Sequence, residues 1–226
     1  MISDTKVVAI GGGTGLSTML KGLKLHTHNI TAVVTVADDG GSSGILRSDL
    51  GMLAPGDVRN CVSALAEVDP VMGELLNFRF KDGSLKGHSL GNLFLAALNE
   101  TSSSFDEAVK KFSHLTGVVG TVYPVTNESV TLSALLEDGR LLEGESHIGV
   151  HHDGPKNGIV KLMVNPEKPK AVDGVIKALE KADIIVLGPG SLYTSIIPNL
   201  LVDGVVDAIK KSNAVKIYVC NIMSQA

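Results

Sequence analysis

The sequence predicts an α/β fold: a Rossmann-like, mostly parallel doubly wound sheet with helical and β-hairpin insertions. An apolar run at residues 6–10 ends in glycines, apolar residues at helical spacing follow, and a Val- and Thr-rich run at 30–37 predicts the next strand. This order is typical of a right-handed βαβ unit. The stretch ADIIVLGPGSLYTSI at 182–196 repeats the strand, glycine and helix pattern. These observations favour a single α/β domain over residues 1–226.

The other elements follow from local patterns. Apolar stripes predict helices across residues 57–114, with Ser104 as the N-cap of one helix and Glu107 completing its capping box. The polar, glycine-rich stretch at 37–60 is longer than an ordinary connection, so we interpret it as a functional loop. Further predictions are strands at 118–122, 158–164 and 215–220, a hairpin at 129–148 around Asp138-Gly139, and helices at 172–181 and 203–211.

Composition bounds the class of protein. The net charge of −4 and an aromatic content of 4% without Trp argue against a nucleic-acid partner. No apolar run reaches the ~20 residues of a membrane span, and the amino terminus lacks a signal-peptide pattern. We therefore expect a cytoplasmic protein, compatible with a homo-oligomer, in which Cys61 and Cys220 are reduced core thiols. The chain stops just after a predicted strand, where a doubly wound domain usually continues, which favours further residues beyond 226.

The first glycine-rich loop lies in VVAIGGGTGLSTMLKGLK, residues 7–24. Two of its glycines fit the first positions of the dinucleotide fingerprint G-x-G-x-x-G, but the third position is Leu16. Glycines that open a helix let the backbone approach an anion, so we predict a phosphate site, with a simple tight turn as the alternative. The expected ligand-binding residues are Gly11, Gly12, Gly13, Thr14 and Gly15.

The second loop, DDGGSSG at residues 38–44, follows the second predicted strand. Asp38 stands about where a Rossmann acid meets a ribose hydroxyl, although its spacing from the first glycines is longer than usual. Alternatively, Asp38 and Asp39 hold Mg²⁺ together with a substrate phosphate, or the segment is a solvated acidic turn. We predict ligand contacts for both aspartates and for Ser42 and Ser43.

The third loop, PGDVRN at residues 55–60, opens a predicted helix. Asp57 is the expected N-cap, which is its simplest role. Arg59 and Asn60 then fall in the first turn, where a cation opposes the helix dipole. An Arg in this place is easier to explain beside a phosphate or carboxylate, so we predict that all three side chains contact the ligand.

The fourth loop is GHSLGN at residues 87–92. His88 and Asn92 are four residues apart, so they project on one face if the helix has begun by His88. We interpret His88 as a structural hydrogen-bonding residue, with general acid–base chemistry as the alternative. Gly91 lowers helix stability by about 1 kcal/mol relative to Ala, so it requires a packing or ligand reason.

The last loop repeats the strand, glycine and helix order and adds hydroxyl side chains. Loops after parallel strands meet at one edge of the sheet, so we expect this loop to join the others. Its candidate ligand-binding residues are Gly188, Pro189, Gly190, Ser191, Tyr193 and Thr194, together with Asn221 after the last predicted strand. We interpret the polar stretch that contains His147, His151, His152 and Asp153 as an exposed turn, not a metal site.

The motifs GGGTG, DDGGSSGILR, PGDVRN, GHSLGN and GPGSLYTSIIPNL occur in this order from residue 6 to the end of the chain. Together they resemble the bacterial gluconeogenesis factor family, which is similar to archaeal 2-phospho-L-lactate transferase. The resemblance implies a cytoplasmic protein with a nucleotide ligand: a UDP-sugar first, with NAD or a guanine nucleotide as alternatives. It implies phosphate contacts at 11–15 and 188–194, with Asp38, Asp57 and Asn60 at the sugar, metal or acceptor end.

Two functions are compatible with this resemblance. The first is a nucleotide-sugar-binding regulator, without turnover, that is needed for cell shape on gluconeogenic carbon sources. The second is a Mg²⁺-dependent transferase that moves a nucleotide-activated, phospholactate-like group to an alcohol acceptor, with Asp38 and Asp57 as catalytic residues. The scarcity of aromatic residues for a deazaflavin ring favours the regulator. A nicotinamide-dependent oxidoreductase is a weaker third option.

Overall fold

The computed structural model describes residues 3–150 and 157–222. A five-stranded sheet lies at its centre, and every neighbouring pair of strands in it is parallel, which confirms the predicted α/β class. In chain order the strands are β1 (Val7–Gly11), β2 (Ile30–Val34), β3 (Thr121–Pro124), β4 (Thr131–Leu136), β5 (Leu141–Glu143), β6 (Ile159–Asn165), β7 (Ile184–Leu187) and β8 (Val215–Tyr218). The central sheet has the order β3-β2-β1-β7-β8, and a smaller sheet has the order β5-β4-β6.

Helices connect the strands and cover both faces of the central sheet. In chain order they are α1 (Thr14–Leu23), α2 (Gly41–Leu50), α3 (Gly56–Leu65), α4 (Pro70–Asn77), α5 (Leu90–Glu100), α6 (Phe105–Leu115), α7 (Glu145–Gly149), α8 (Asp173–Lys181), α9 (Ile197–Leu200) and α10 (Val205–Lys211). A short π-helical turn, Leu192–Ile196, precedes α9.

Strand β1 shows how the two faces are built. All five of its residues are buried, as in a strand covered on both sides. Val7 and Ala9 belong to a core that includes residues of α1, α3, α5 and α6, whereas Val8 and Ile10 belong to a second core with residues of α8 and α10. Alternate side chains of one strand therefore bind both helical layers to the sheet, which is the doubly wound arrangement.

The predicted hairpin is confirmed as part of the smaller sheet. Strand β4 pairs antiparallel with β5 and with β6. The turn between β4 and β5 contains Asp138 and Gly139, and Gly139 has a φ of +86° that favours glycine. Leu132, Ala134 and Leu136 point from β4 into buried positions, so the insertion shares the apolar interior of the domain.

The interpretation of residues 37–60 as one long loop was wrong. Helix α2 occupies its middle and α3 begins near its end. The sequence GSSGILRSDL contains weak helix formers and little apolar periodicity, so local signals do not indicate a helix. Distant contacts hold it: the Arg47 guanidinium donates to the Asp38 carbonyl at 3.2 Å and to the Val130 carbonyl at 2.8 Å.

Local features correct several other predictions. Strand β3 begins at Thr121, because Gly120, with a φ of +90°, packs against the Ile30 backbone. Ser104 is confirmed as an N-cap, but the Glu107 carboxylate accepts from Ser103 rather than from the cap itself. Cys61 is buried as predicted, whereas Cys220 is exposed beyond β8. Among the described residues, no helix is both long and apolar enough to span a membrane.

Candidate functional site

The candidate site is a cleft of about 200 Å³ at the carboxyl end of the central sheet, between the first turns of α2, α3 and α5. It brings together side chains from three of the predicted loops. Its lining residues are Asp38, Gly40, Gly41, Ser42, Ser43, Gly56, Asp57, Arg59, Asn60, Arg79 and Asn92. Two larger surface cavities, of about 320 and 280 Å³, lie beside the start of β3 and contain none of the predicted site residues.

Helix α2 begins at the wall of this cleft. Gly40 is its N-cap in an extended conformation, and Gly41 follows with a φ of +45°. The first backbone hydrogen bond of the helix runs from Gly44 N–H to the Gly40 carbonyl. The N–H groups of Gly41, Ser42 and Ser43 therefore have no carbonyl acceptor within the helix. Together with the positive end of the helix dipole, they form an environment that favours an anion.

Arg59 forms part of the cleft wall from the first turn of α3. Only 6% of its surface is exposed. Its Nε donates to Asn92 Oδ1 at 3.3 Å, and its Nη1 donates to Asn77 Oδ1 at 2.7 Å. In the described part of the chain, Arg59 has no carboxylate within ion-pair distance. Burial, followed by the charge of Arg79, lowers the pKa of the Arg59 guanidinium.

Close packing explains why a glycine occupies position 91 in the first turn of α5. A methyl group there would lie 2.9 Å from Arg59 Cδ and 2.5 Å from the Leu76 carbonyl oxygen. The missing side chain lets the Arg59 stem cross the start of α5 and reach Asn92. Within the described part of the chain, neutral amide oxygens rather than the expected carboxylate accept from Arg59, and a ligand contact there stays a prediction.

Ser42, His88 and Asn92 form a buried polar cluster. Ser42 Oγ lies 3.0 Å from His88 Nδ1, and Asn92 Nδ2 donates to Ser42 Oγ at 3.0 Å. The N-cap of α5 is Ser89, so His88 itself lies just outside the helix. The expected shared helix face does not form, and His88 and Asn92 instead meet through a common partner, Ser42 on α2. His88 thus has the predicted structural hydrogen bond, and acid–base chemistry there stays untested.

Asp57 lies between the cleft and the first glycine loop. It is not the N-cap of α3, because the helix begins at Gly56 with Pro55 as its cap. Its carboxyl group accepts instead from the Gly13 backbone N–H. Burial, followed by the charges of Asp38 and Glu145, raises the pKa of Asp57 to about 7. Asp57 can therefore gain or lose a proton near neutral pH, which suits a general base or acid.

The chain's own side chains pack closely around the first glycine loop. A methyl group on Gly12 would lie 2.5 Å from Ser195 Oγ, and one on Gly15 would lie 2.6 Å from the Pro189 carbonyl oxygen. A methyl group on Gly13 would collide with the Asp57 carboxylate and lie 2.8 Å from the Asn60 amide. The glycines are therefore required for internal packing, and Gly11–Gly15 do not line the described cleft.

Asp38 and Asp39 have separate environments. Both Asp39 oxygens accept backbone N–H groups at the start of α7, from Glu145 and Ser146, each at 2.9 Å. Asp38 Oδ1 accepts from Gly40 N–H at 2.9 Å, and its charge acts on Asp57. Among the described residues there is no group of three or more His, Cys, Asp or Glu that could hold a metal ion. A Mg²⁺ ion at this site would thus require ligand oxygens or water besides the aspartates.

The last predicted loop packs against the first one rather than into the cleft. Ser191 Oγ accepts from Thr194 N–H at 3.1 Å, and Thr194 is buried. The Asn221 amide donates to the Gly190 carbonyl at 3.0 Å and ties the residues after β8 to this loop. Tyr193 packs at the edge of the core. Gly188 and Pro189 complete the turn, and ligand contacts of the loop stay predictions.

Sequence reasoning missed several residues of the site. Arg79 lines the cleft and donates to the Gly87 carbonyl, and Asn77 holds the Arg59 guanidinium. Asn199 is buried below the first loop and donates to the Gly11 carbonyl at 3.1 Å. Asn199 lies in the quoted motif GPGSLYTSIIPNL, so an amide buried in an apolar helix was the available signal. His147 lies in α7 and contacts the Glu143 carbonyl, whereas His151, His152 and Asp153 lie outside the described residues.

Comparison with known proteins decides the family. Residues 7–226 match the family model described as 2-phospho-L-lactate transferase CofD. The chain belongs to the CofD family. This result confirms the resemblance inferred from the five motifs.

Several similar curated proteins come from bacteria. The chain is 58% identical to a putative gluconeogenesis factor from Thermoanaerobacterium thermosulfurigenes, over 99% of this chain and 69% of the relative. It is 54% identical to one from Clostridium acetobutylicum, over 100% of this chain and 50% of the relative. It is 47% identical to the gluconeogenesis factor of Bacillus subtilis, over 97% of this chain and 68% of the relative. The chain therefore spans about half to two thirds of the length of these relatives.

A solved structure supports the same family fold. The crystal structure of a UPF0052 family member from Bacillus halodurans matches with a TM-score of 0.93 and 46% identity. The match covers 100% of this chain and 71% of the solved chain. At this similarity the Rossmann-like architecture is shared with that solved protein.

Proposed function

We propose that this protein is a nucleotide-sugar-binding regulator of the gluconeogenesis factor type, acting in the cytoplasm and needed for normal cell shape on gluconeogenic carbon sources. The relatives at 47–58% identity that carry the name gluconeogenesis factor support this proposal. Its ligand is a nucleoside diphosphate sugar, with a UDP-sugar as the first choice. The regulator role requires binding of this ligand and no turnover.

One observation carries the ligand class: Arg59 is a buried guanidinium in an open cleft, and no described carboxylate forms an ion pair with it. A buried charge is costly without a partner of opposite sign. A ligand phosphate at the start of α2 would supply that charge and would accept from the first-turn N–H groups of the helix. A diphosphate fits this cleft better than a carboxylate, because Arg79 provides a second cation at its rim.

The transferase alternative is favoured by a different observation. Asp38 and Asp57 lie close enough for the charge of Asp38 to act on the pKa of Asp57. With water and ligand phosphate oxygens, the Asp38 carboxylate could hold Mg²⁺, which would offset negative charge on a diphosphate. An alcohol acceptor could then attack the phosphorus of the activated group, breaking its P–O bond to the nucleoside monophosphate, which leaves, while the ionised Asp57 carboxylate accepts the hydroxyl proton. The family description names such a transferase.

A thermal-shift comparison tests the ligand class. The protein is mixed with UDP-N-acetylglucosamine, NAD, GDP or GTP, each with and without Mg²⁺. A ligand at about 100 times its Kd stabilises the native state by about 2.7 kcal/mol, which is a clear shift of the melting temperature. We expect the UDP-sugar to give the largest shift. Absence of a shift with every nucleotide would contradict the regulator and the transferase together.

The variant Arg59→Met tests the observation that carries the proposal. Methionine keeps an apolar stem of similar length and removes the buried charge, so we expect the UDP-sugar affinity to fall at least tenfold, about 1.4 kcal/mol. Arg140→Met is the matched control, because Arg140 is exposed in the hairpin turn and pairs with Asp138 there. Equal affinities for the Arg59 variant and the wild type would exclude an anion at this guanidinium.

Turnover separates the two functions. The protein is incubated with a guanine-nucleotide-activated phospholactate, a deazaflavin alcohol acceptor and Mg²⁺, and the product is followed by mass spectrometry. The regulator predicts no product, with ligand binding retained. Product that disappears in Asp38→Ala would instead establish the transferase.

A further inference from the structure

The direction of each hydrogen bond around Ser42 can be derived from Arg59. A guanidinium only donates hydrogen bonds, so the Asn92 atom that faces Arg59 Nε must be the amide oxygen. The Asn92 NH₂ group therefore faces Ser42, and the Ser42 oxygen accepts from it. The chemistry of the guanidinium therefore fixes the orientation of the Asn92 amide.

The direction in which the Ser42 O–H points then depends on whether His88 Nδ1 carries a hydrogen. If His88 Nδ1 carries no hydrogen, the Ser42 O–H donates to it across the 3.0 Å contact. If Nδ1 carries a hydrogen, His88 donates to the Ser42 oxygen, which then accepts from both His88 and Asn92. In that second arrangement the Ser42 hydrogen is free to point elsewhere.

The Ser42 hydroxyl lies where such a free hydrogen would meet a ligand. Ser42 is the second residue of α2 and lines the cleft beside the first-turn N–H groups. Arg59, on the same cleft, is more than nine-tenths buried and has no described carboxylate partner, and no described residue accepts from its Nη2. A buried guanidinium whose hydrogen-bond partners are neutral amides, with the Asp57 charge acting on it only from beyond ion-pair distance, is an independent indication that an anion binds in this place.

We propose that Ser42 is a hydrogen-bond switch for the ligand anion and that His88 sets it. In the free protein, Nδ1 has no hydrogen and Ser42 donates to it. When an anion binds at the start of α2, Nδ1 takes a hydrogen from solvent, Ser42 accepts from His88, and the Ser42 hydroxyl turns to donate to the anion. Nε2, for which no described residue is a hydrogen-bond partner, releases its hydrogen to water, so the imidazole stays neutral and protons balance. This inference rests on the proposed function, in that the anion is the ligand diphosphate.

Nitrogen-15 NMR of the imidazole side chains tests the switch, because a ring nitrogen with a hydrogen is distinguished from one without. Spectra of the whole protein are recorded with and without inorganic pyrophosphate, which has the two linked phosphates and no base or sugar. The His88 signals are assigned as those lost in His88→Asn. We expect the Nδ1 signal to move to the hydrogen-bearing position on addition of pyrophosphate. An Nδ1 signal that keeps its free-state position in saturated protein overturns the switch.

Two variants make the test specific. Ser42→Ala removes the hydroxyl that responds to His88, so pyrophosphate should no longer change the Nδ1 signal, whereas Ser42→Thr keeps the hydroxyl and should preserve the change. His28→Asn is the matched histidine control, since His28 is exposed just before β2 at the opposite end of the sheet. A change of Nδ1 that persists in Ser42→Ala would overturn the role of Ser42.

The experiment separates this inference from the proposed function. If pyrophosphate changes His88 but UDP-N-acetylglucosamine does not bind, the switch stands and the proposed ligand is wrong. If the UDP-sugar binds and His88 Nδ1 is unchanged with either ligand, the proposed function stands and the switch is wrong. Failure of pyrophosphate to bind at millimolar concentration would overturn the anion site on which the switch depends.

Discussion

Two glycine-rich turns, each running from a central strand into a helix, have different uses in this protein. The loop after β1, Gly11–Gly15, is filled by protein: Asp57, Asn60, Ser195 and Pro189 press against it. The loop after β2, at residues 38–44, opens onto the cleft at Gly41, where a methyl group would have no heavy atom within 4 Å, although one on Gly44 would collide with the Asp39 carbonyl oxygen. The first turn uses missing side chains for close packing, whereas the second leaves helix N–H groups available.

The difference teaches that glycine content alone does not identify a phosphate loop. Both turns have the composition and the helix start that favour an anion. The two turns differ in what surrounds them. In the first loop, the Asp57 carboxyl group from α3 already accepts the Gly13 N–H. The fingerprint position occupied by Leu16 is consistent with this, because Leu16 is fully buried in the core.

The largest effect expected from this comparison is on stability in the closed loop. Gly15→Ala would place a methyl group 2.6 Å from the Pro189 carbonyl oxygen, and a backbone atom cannot move aside cheaply. We expect a loss of about 3 kcal/mol in the free energy of unfolding, measured with urea. The matched control is Gly22→Ala in the same helix, where nothing lies within 4 Å. That change should stabilise by about 1 kcal/mol, and equal effects of the two variants would contradict close packing.

The second effect is the pH dependence of stability that Asp57, whose carboxyl group packs against the first loop, is expected to cause. The pKa of Asp57 is raised from 3.8 to about 7, so between those pH values the native state binds more protons than the unfolded state. The free energy of unfolding therefore falls as pH rises through this window. Asp57→Asn keeps an acceptor for Gly13 N–H and removes the titration.

At pH 8 we expect the Asn variant to gain on the order of 2 kcal/mol over the wild type, and at pH 4 to show little difference. Urea unfolding between pH 4 and pH 8 measures both values. Asp106→Asn, in the first turn of α6, is a control for removing a carboxylate elsewhere. Parallel pH profiles for wild type and Asp57→Asn would contradict a buried, protonated carboxyl group beside the first loop.

The smallest effect is expected in the open loop. Gly41→Ala meets no neighbouring atom, but its φ of +45° is unfavourable for a residue with a side chain. We expect a loss of only about 1 kcal/mol in urea unfolding. A loss as large as that of Gly15→Ala would show that this loop is also packed, and the contrast between the two turns would fail.

The sequence predicted the elements whose signals are local. The all-apolar run of β1, the N-cap of α6 at Ser104 and the Asp138-Gly139 hairpin each depend on neighbouring residues, and the structure has all three. Convergence of the strand-end loops follows from the topology of a parallel sheet. From these features the sequence predicts the fold class and the end of the sheet at which the cleft lies.

The missed features depend on residues far apart in the chain. Helix α2 is held by Arg47 contacts to Val130, 83 residues away, which no local pattern indicates. Asp57 was expected to cap its own helix, and only the folded chain brings it to Gly13. The roles of Asn77 and Arg79 likewise arise from the folding of residues 70–88 over α3 and α5, since their amide and guanidinium groups have no motif of their own.

A crystal structure with UDP-N-acetylglucosamine tests the central claim most directly, because the claim concerns where the diphosphate binds. We predict phosphate oxygens about 3 Å from the N–H groups of Ser42 and Ser43 and from the Arg59 guanidinium, with Asp57 still bonded to Gly13. Phosphates seated instead on the N–H groups of Gly12 to Thr14, with Asp57 displaced, would contradict the account.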